Sequence, residues 1–460
     1  MKNSTLYQLS AMLLVLTTAS SCKNLVEIPE SKSQIETTTV FADSTTASSA
    51  LLGIYFTMGT ASNSVQSGFK YIALYADDYS YTAALAGITA FHQSIVQPDN
   101  TQNAGLWNSL YSAVYQCNSL IADVEKSSAL SPAAKKLLES EAKFLRAYAY
   151  FYLLNLYDHI PLILSTDVNQ NKGASQTDKQ TVYNQILKDL LEAMTGLDQQ
   201  STGTGKARAN SLAASALLAR LFLYQNNWSE AERHASMVIN SGVYSPLPKL
   251  EDVFLANSKE TILQFWNQNG FISDAAQLVP ASATVLPQYV ITESLYQTFE
   301  NTDGRSSKWI AANQVTSAGT TKSYNYAAKY KNRVANTARP EYIIALRMGE
   351  LYLIRAEAYA RQNKTAQAVA DLNILRNRAG AGIIEEAISN EACLQAIAKE
   401  RRLELFGEWG HRFLDLKRTG QLDAVLGPLK ATWRPEIAKA LPIPNTEILY
   451  NTNLIQNYGY

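Results

Sequence analysis

Few side chains in this sequence are placed to do chemistry. The four histidines (His92, His159, His234, His411) stand far apart, with no HExxH or HxH spacing to grip a metal. The three cysteines form no CxxC pair, and Cys117 and Cys393 are too few for a disulfide framework. Cys117 lies in an apolar helical pattern and is expected as a buried thiol. There is no GxSxG and no Walker A motif. "GTGK" (203–206) is followed by Ala207, and "AGAG" (379–382) follows a helix rather than a strand. Charged residues cluster in "KERRLELFGEWGHRFLDLKRTG" (399–420) and "RMGELYLIRAEAY" (347–359). There Glu400, Glu404, Glu408, Asp415, Arg401 and Arg412 fall at i, i+3 and i+4, the spacing of ion pairs along a helix. Asp77 and Asp78 in "ADDYS" diverge on any regular element, so a cap or turn role is expected. The chain reads as non-enzymatic, with no cofactor and no metal site.

Cys22 is placed for a different reaction. It follows Lys2, an apolar stretch from Leu6 to Leu16, and the small residues Ala19, Ser20 and Ser21. That order is a secretory signal, and about ten apolar residues are too few to span a bilayer. A cysteine directly after the small run is where a bacterial lipoprotein receives its diacylglyceryl group. Residues 1–21 are therefore predicted to be a signal peptide, with Cys22 the lipid attachment site. Two or more acyl chains, palmitate among them, make a stable anchor. Losing Lys2 leaves 40 − 1 = 39 basic side chains against 40 acidic ones. A body this close to neutral argues against nucleic acid as a partner.

The elements behind these residues are mostly helical. Periodicity predicts helices over roughly 45–58, 104–126, 132–157, 180–197, 209–225, 229–240, 342–361, 365–378 and 391–407. Ser131-Pro132 opens one of them, and Ile160-Pro161 closes it. Residues 215–239 and 352–375 match at an offset of 137, aligning Ala219 with Ala356 and Ala231 with Ala368. Two small residues twelve apart around a polar turn mark a tetratricopeptide helix pair. Residues 135–157 and 180–197 are candidates for further pairs. By contrast, 59–103 and 241–340 are rich in Gly, Ser, Asn, Thr and Tyr, and read as loops and short strands. "GVYSPLPKLEDVF", "TILQFWNQNG" and "KSYNYAAKYKN" read as short strands and loops. The many aromatics in these stretches argue that they are ordered.

Several segments together resemble the SusD/RagB family of Bacteroidetes outer-membrane lipoproteins. They are "EAKFLRAYAYFYLLNLYDHIPLIL" (141–164), with Asp158 where Gly is usual, "LLARLFLYQNNWSEAERHA" (217–235), "LRMGELYLIRAEAYA" (346–360), "LNILRNRAG" (372–380), "ERRLELFGEWGHRFLDLKRTG" (400–420) and "LPIPNTEILYNTNLIQNYGY" (441–460). The resemblance implies a mainly α, SusD-like tetratricopeptide scaffold with a loop-rich variable face. On that basis the chain divides into a signal peptide (1–21), a lipid-anchored tether (22–40), an N-terminal helical region (41–265), variable ligand-face loops (266–340) and a C-terminal RagB/SusD region (341–460). It further implies a surface-exposed place on the cell outer membrane and a SusC-like TonB-dependent transporter as partner. The expected function is non-catalytic capture of an oligosaccharide and its delivery to that transporter. A peptide-binding RagB-like lid and a scaffold that docks a protein partner are the alternatives.

Of the six tryptophans, Trp107, Trp228 and Trp409 fall in helical or signature segments and read as core, while Trp433 is undecided. Trp266 and Trp309 remain, in the irregular region where the resemblance places much of the site. Asn267 adds an amide beside Trp266, and Tyr289 and Tyr324 add further rings. The family's other contribution comes from a loop corresponding to 77–103, with Tyr79, Tyr81 and Phe91. Aromatic faces stack on the C–H face of a sugar while amides meet its hydroxyls.

Overall fold

The computed structural model describes residues 37–59, 64–200 and 204–460, so Cys22 and the signal segment lie outside the described residues. Helices form where a capping side chain and an apolar stripe coincide. The principal ones are α1 (Ser44–Gly59), α2 (Phe69–Tyr75), α3 (Thr101–Lys126), α4 (Pro132–Tyr157), α5 (Lys179–Gly196), α6 (Ser211–Tyr224) and α7 (Trp228–Asn240). Beyond the loop region come α8 (Met348–Arg361), α9 (Thr365–Ala379), α10 (Asn390–Leu405), α11 (His411–Arg418) and α12 (Asn445–Tyr450). Asn100, Ser131, Asp178, Asn210, Asn227 and Ser389 each accept a backbone N–H from the first turn that follows. Pro132 takes the first helical position of α4 as expected.

The long helices stack in sequence order: α3 on α4, α4 on α5, α5 on α6, α6 on α7, α7 on α8, α8 on α9. The matched segments are the pairs α6/α7 and α8/α9, and Ala219, Ala231, Ala356 and Ala368 are all fully buried at the crossings. Nothing larger would let the backbones approach as closely. Helix α4 is the centre of the wall, with every residue from Phe144 to Tyr157 buried. Cys117 and Cys393 are buried and unbridged, and burial pushes the Cys117 thiol well above its ordinary range.

Short antiparallel strands tie the loop regions to this wall. They are β1 (Tyr79–Tyr81), β2 (Thr261–Phe265), β3 (Tyr289–Ile291), β4 (Ile310–Ser317), β5 (Thr320–Ala327) and β6 (Ile343–Arg347). Strand β2 pairs with β6, closing the base of the excursion between them. Strand β1 pairs with β3, Tyr81 opposite Tyr289, which joins the 77–103 loop to the same excursion. Two expectations need correction. Residues 343–347 are a strand rather than the start of α8, because the run Ile343, Ile344, Ala345, Leu346 is buried on both faces of the β2/β6 pair. "GVYSPLPKLEDVF" forms no strand; its backbone turns through a single 3₁₀ turn at Leu250–Asp252.

The charged signature residues are structural, but their pairing is not along one helix. Glu404 on α10 meets Arg347 of β6 (2.6 Å), Arg305 of the excursion (3.0 Å) and Arg378 of α9. Burial raises the Glu404 carboxyl, and the charges of Arg378, Arg347 and Arg305 outweigh it, holding the group well below the carboxylate range. Arg347 also reaches Glu408 (2.8 Å), which Lys329 joins at 2.6 Å. Asp415 is shared by Arg401 (2.7 Å) and Arg418 (2.8 Å). Only Asp415–Arg418 has helical spacing; the rest link distant segments. Asp77 is no cap: its carboxylate pairs with Arg402 and Arg412, each at 2.7 Å. Asp78 accepts the Gly407 N–H (3.1 Å). Gly407 has φ +68° and no room for a side chain, since a Cβ there would collide with the Tyr79 hydroxyl.

Candidate ligand-binding site

Where α2, the start of α3 and the first turns of the excursion meet, the surface opens into a hollow of about 600 Å³. Two aromatic rings, Tyr71 and Phe271, are half-buried in its wall. The amides of Gln102, Asn267, Asn269 and Gln277 share the lining. Helix α2 supplies Lys70 and Tyr71 from adjacent positions. The buried ammonium of Lys70 pairs with Asp274 (2.8 Å) and donates to the Ser67 carbonyl (2.7 Å). It also lies 4.7 Å from the Tyr71 ring centre, a cation–π contact. The base of the hollow is therefore neutral overall.

Local chemistry fixes the rim. Asn267 accepts the Asn269 N–H (2.8 Å), a side-chain turn that sets the angle of its amide. Gly270 follows at φ +66°, and a Cβ there would strike the Asn336 carbonyl. The Gly270 carbonyl accepts from Glu341 (3.0 Å) and the Asn332 amide (3.1 Å), pinning the turn to the far side of the excursion.

The residues singled out in the sequence divide sharply. Asn267 lines the hollow. Its neighbour Trp266 turns the other way and is 53% exposed, over a separate apolar depression of about 510 Å³ shared with Leu52 and Phe56 of α1. Tyr324 is half-buried on β5, paired with Asn313 of β4. The other rings are closed to a ligand, which corrects the expectation of a stacking surface for them. Trp309 is 1% exposed, donates its indole N–H to the Leu250 carbonyl (2.9 Å) and packs edge-on to Phe254. Tyr79, Tyr81, Phe91 and Tyr289 are likewise buried. They form the wall behind Tyr71: Phe91 meets the Tyr71 ring at 5.5 Å, and Tyr81 meets Tyr289 at 5.3 Å. Burial pushes the Tyr289 hydroxyl far above its ordinary range, with Tyr71 and Tyr81 adding to the shift.

Comparison with known proteins places the chain. Residues 28–223 match a family described as "Starch-binding associating with outer membrane", and residues 241–460 match the SusD family. The chain belongs to the SusD/RagB family. Among its relatives, SusD-like protein P25 of Formosa agariphila is 24% identical over 450 residues, covering 83% of each chain. The starch-binding protein SusD of Bacteroides thetaiotaomicron is 23% identical, covering 70% of this chain and 72% of its own. Among solved structures, a laminarin-binding SusD-like protein is 25% identical, with a TM-score of 0.76 over 90% of this chain and 99% of that one. A SusD superfamily protein from Bacteroides vulgatus superposes with a TM-score of 0.82 at 20% identity, over 91% of this chain and all of the other.

In this SusD/RagB chain the hollow's most telling features were not read from sequence. Lys70 and Asp274 are 204 residues apart, and nothing local announces their pairing. One signal was available: a lysine within the otherwise apolar, aromatic helix "FKYIALY" needs a buried partner.

Proposed function

We propose that the chain is a non-catalytic glycan-binding protein that captures neutral oligosaccharides in the hollow around Tyr71 and Asn267. The observation that carries this reading is the combination of two aromatic faces with four amides over an internally neutralised Lys70–Asp274 base. Sugar C–H faces seek the first and hydroxyls the second, while the cancelled charge favours no ion. Asp274 is the one carboxylate among the residues lining the hollow, and it is committed to Lys70. Glycoside hydrolysis needs two carboxyl groups across the scissile bond, so this arrangement supports binding rather than cleavage. The relatives named for starch and laminarin point to the same class of ligand.

Calorimetric titration against laminari-, malto- and manno-oligosaccharides tests the reading. One of these series binds the wild-type chain, and Tyr71→Ala weakens it about tenfold, the worth of roughly 60 Å² of stacked face. No binding across the series, or an unchanged affinity in Tyr71→Ala, contradicts it.

The same reading gives the protein a lipid anchor at Cys22 on the outer membrane and a SusC-like TonB-dependent transporter as receiver. Among the described residues no helix is long and apolar enough to cross a membrane. Purification from membranes in mild detergent should recover an acylated N-terminal Cys22 and a co-eluting outer-membrane barrel. An unacylated protein, or one that elutes alone, contradicts this part.

A further inference from the structure

The hollow just described opens on one side of α3, where Gln102, Gly105 and Leu106 face it. The opposite side of the same helix carries a second hollow, of about 330 Å³. Trp107, Tyr111, Val114 and Tyr115 line it, at the i, i+4, i+7, i+8 spacing of a single helical face. Across from them stands α12, which contributes Glu447 and Tyr450.

This second hollow is built rather than incidental. Trp107 and Tyr111 meet at 4.8 Å, and Tyr157 braces Trp107 edge-on from behind at 4.8 Å. Tyr111 donates its hydroxyl to the Pro161 carbonyl (2.8 Å), which fixes the ring. The loop below is locked to the chain end: Asn451 donates to the Ala174 carbonyl and Asn453 to the Gly173 carbonyl, both at 2.8 Å. On this rigid frame two rings stay open to solvent, Tyr115 at 54% exposure and Tyr450 at 86%. The Glu447 carboxyl is half-buried beside the Trp107 indole, and burial raises its pKa.

The surroundings select the occupant. No charged residue occurs from Thr101 to Ala122, and Glu447 is the one charged residue from Leu441 to Tyr460. A face with one carboxylate and the Lys172 ammonium at its edge offers no purchase to an ionic partner. Two exposed tyrosines flanking a concave, aromatic-floored space, with amide and carboxyl acceptors at hand, suit the flat C–H faces and hydroxyls of a neutral sugar.

We propose that this hollow is a second, independent binding site for neutral glycan, separated from the first by the thickness of α3. It rests on the reading that the chain takes neutral glycans. Two sites on one rigid body would hold a long polysaccharide more tightly than either alone, because the second contact becomes intramolecular.

Retardation of the full chain in native gels cast with laminarin, soluble starch or mannan separates the possibilities. The variants are Tyr71→Ala, the double variant Tyr115→Ala/Tyr450→Ala, and their combination, each with a thermal melt. Because Tyr115 and Tyr450 are exposed, the double variant should melt with the wild type. The polysaccharide that retards the wild-type chain should be held about tenfold less tightly by the double variant. Tyr71→Ala should keep a residual retardation that the combination abolishes. If Tyr71→Ala responds and the double variant behaves as wild type, the second site is wrong and the first stands. If no polysaccharide retards the wild-type chain, both fall. If the double variant keeps its glycan affinity but no longer co-purifies with an outer-membrane barrel, the face is a protein interface and the proposal is overturned.

Discussion

The Glu404 cluster and the Lys70–Asp274 hollow are both assembled from polar side chains that are distant in sequence, yet they are finished in opposite ways. Around Glu404 the charges close on one another: Arg305, Arg347 and Arg378 converge on one fully buried carboxylate, and Asp303, Glu260, Glu400 and Glu408 pair with the same guanidinium groups. Around Lys70 a single ion pair is satisfied and the rest of the lining is uncharged, with amides and two aromatic rings among it. Only the second arrangement is open to a ligand. The buried network fixes the positions of β2, β6, α9, α10 and the excursion, and its charged groups are closed off from solvent. An open set of amides over a neutral base contributes little to folding and keeps its capacity for hydroxyls.

The largest effect should come from unbalancing the closed side. Glu404→Gln leaves three buried guanidinium groups short of a countercharge, and stranding a buried charge costs about 3–5 kcal/mol. Urea unfolding should show a loss of that order, with oligosaccharide affinity of the folded fraction unchanged. Unaltered stability with lost binding would assign the cluster to the ligand instead.

This contrast also explains what the sequence could reveal. Helices were legible because a cap and a 3.6-residue stripe are local: Ser131-Pro132 opens α4 at the expected residue. The paired alanines of α6/α7 and α8/α9 were legible because the repeat copies its own spacing. Asn267 stood out as an amide beside Trp266 in a turn-rich aromatic stretch, and it lines the hollow. What failed was the choice between a ring that faces solvent and one that faces the core. Trp266 and Trp309 sit in equally irregular sequence, and only the tertiary placement of Leu250 and Phe254 against Trp309 buries one of them. The Asp77–Arg412 pair and the Lys70–Asp274 pair failed for the same reason, since they join segments 335 and 204 residues apart.

A smaller effect should appear on acidification, from a buried histidine in the helical wall. His411, at the start of α11, is buried, and burial pushes its pKa down to about 4, with Glu350 opposing and Arg220 and Arg401 reinforcing the shift. The ring is therefore neutral in the fold, while in the unfolded chain it titrates near its ordinary value of about 6.5. Below that value the unfolded chain takes up a proton that the folded chain refuses until about pH 4, so stability falls as pH drops through this window. Asp78 works against this trend, because burial raises its carboxyl to about 6 and the fold welcomes its proton. Substituting His411 isolates the first contribution. From pH 7 to pH 5, His411→Gln should lose about 2 kcal/mol less unfolding free energy than the wild type. Parallel pH profiles for the two proteins would show that His411 is protonated in the fold.

The two candidate depressions lie on opposite sides of one peptide bond. Trp266 and Asn267 are adjacent, yet Trp266 faces the apolar depression over Leu52 and Phe56, and Asn267 faces the polar hollow beside Tyr71. Titrating Asn267→Ala and Trp266→Ala in parallel with the oligosaccharide that binds the wild-type chain tests the claim directly. Asn267→Ala should weaken binding about fivefold, the worth of one net hydrogen bond of about 1 kcal/mol, and Trp266→Ala should bind as the wild type does. Full affinity in Asn267→Ala together with lost affinity in Trp266→Ala would contradict the account and move the site to the apolar depression.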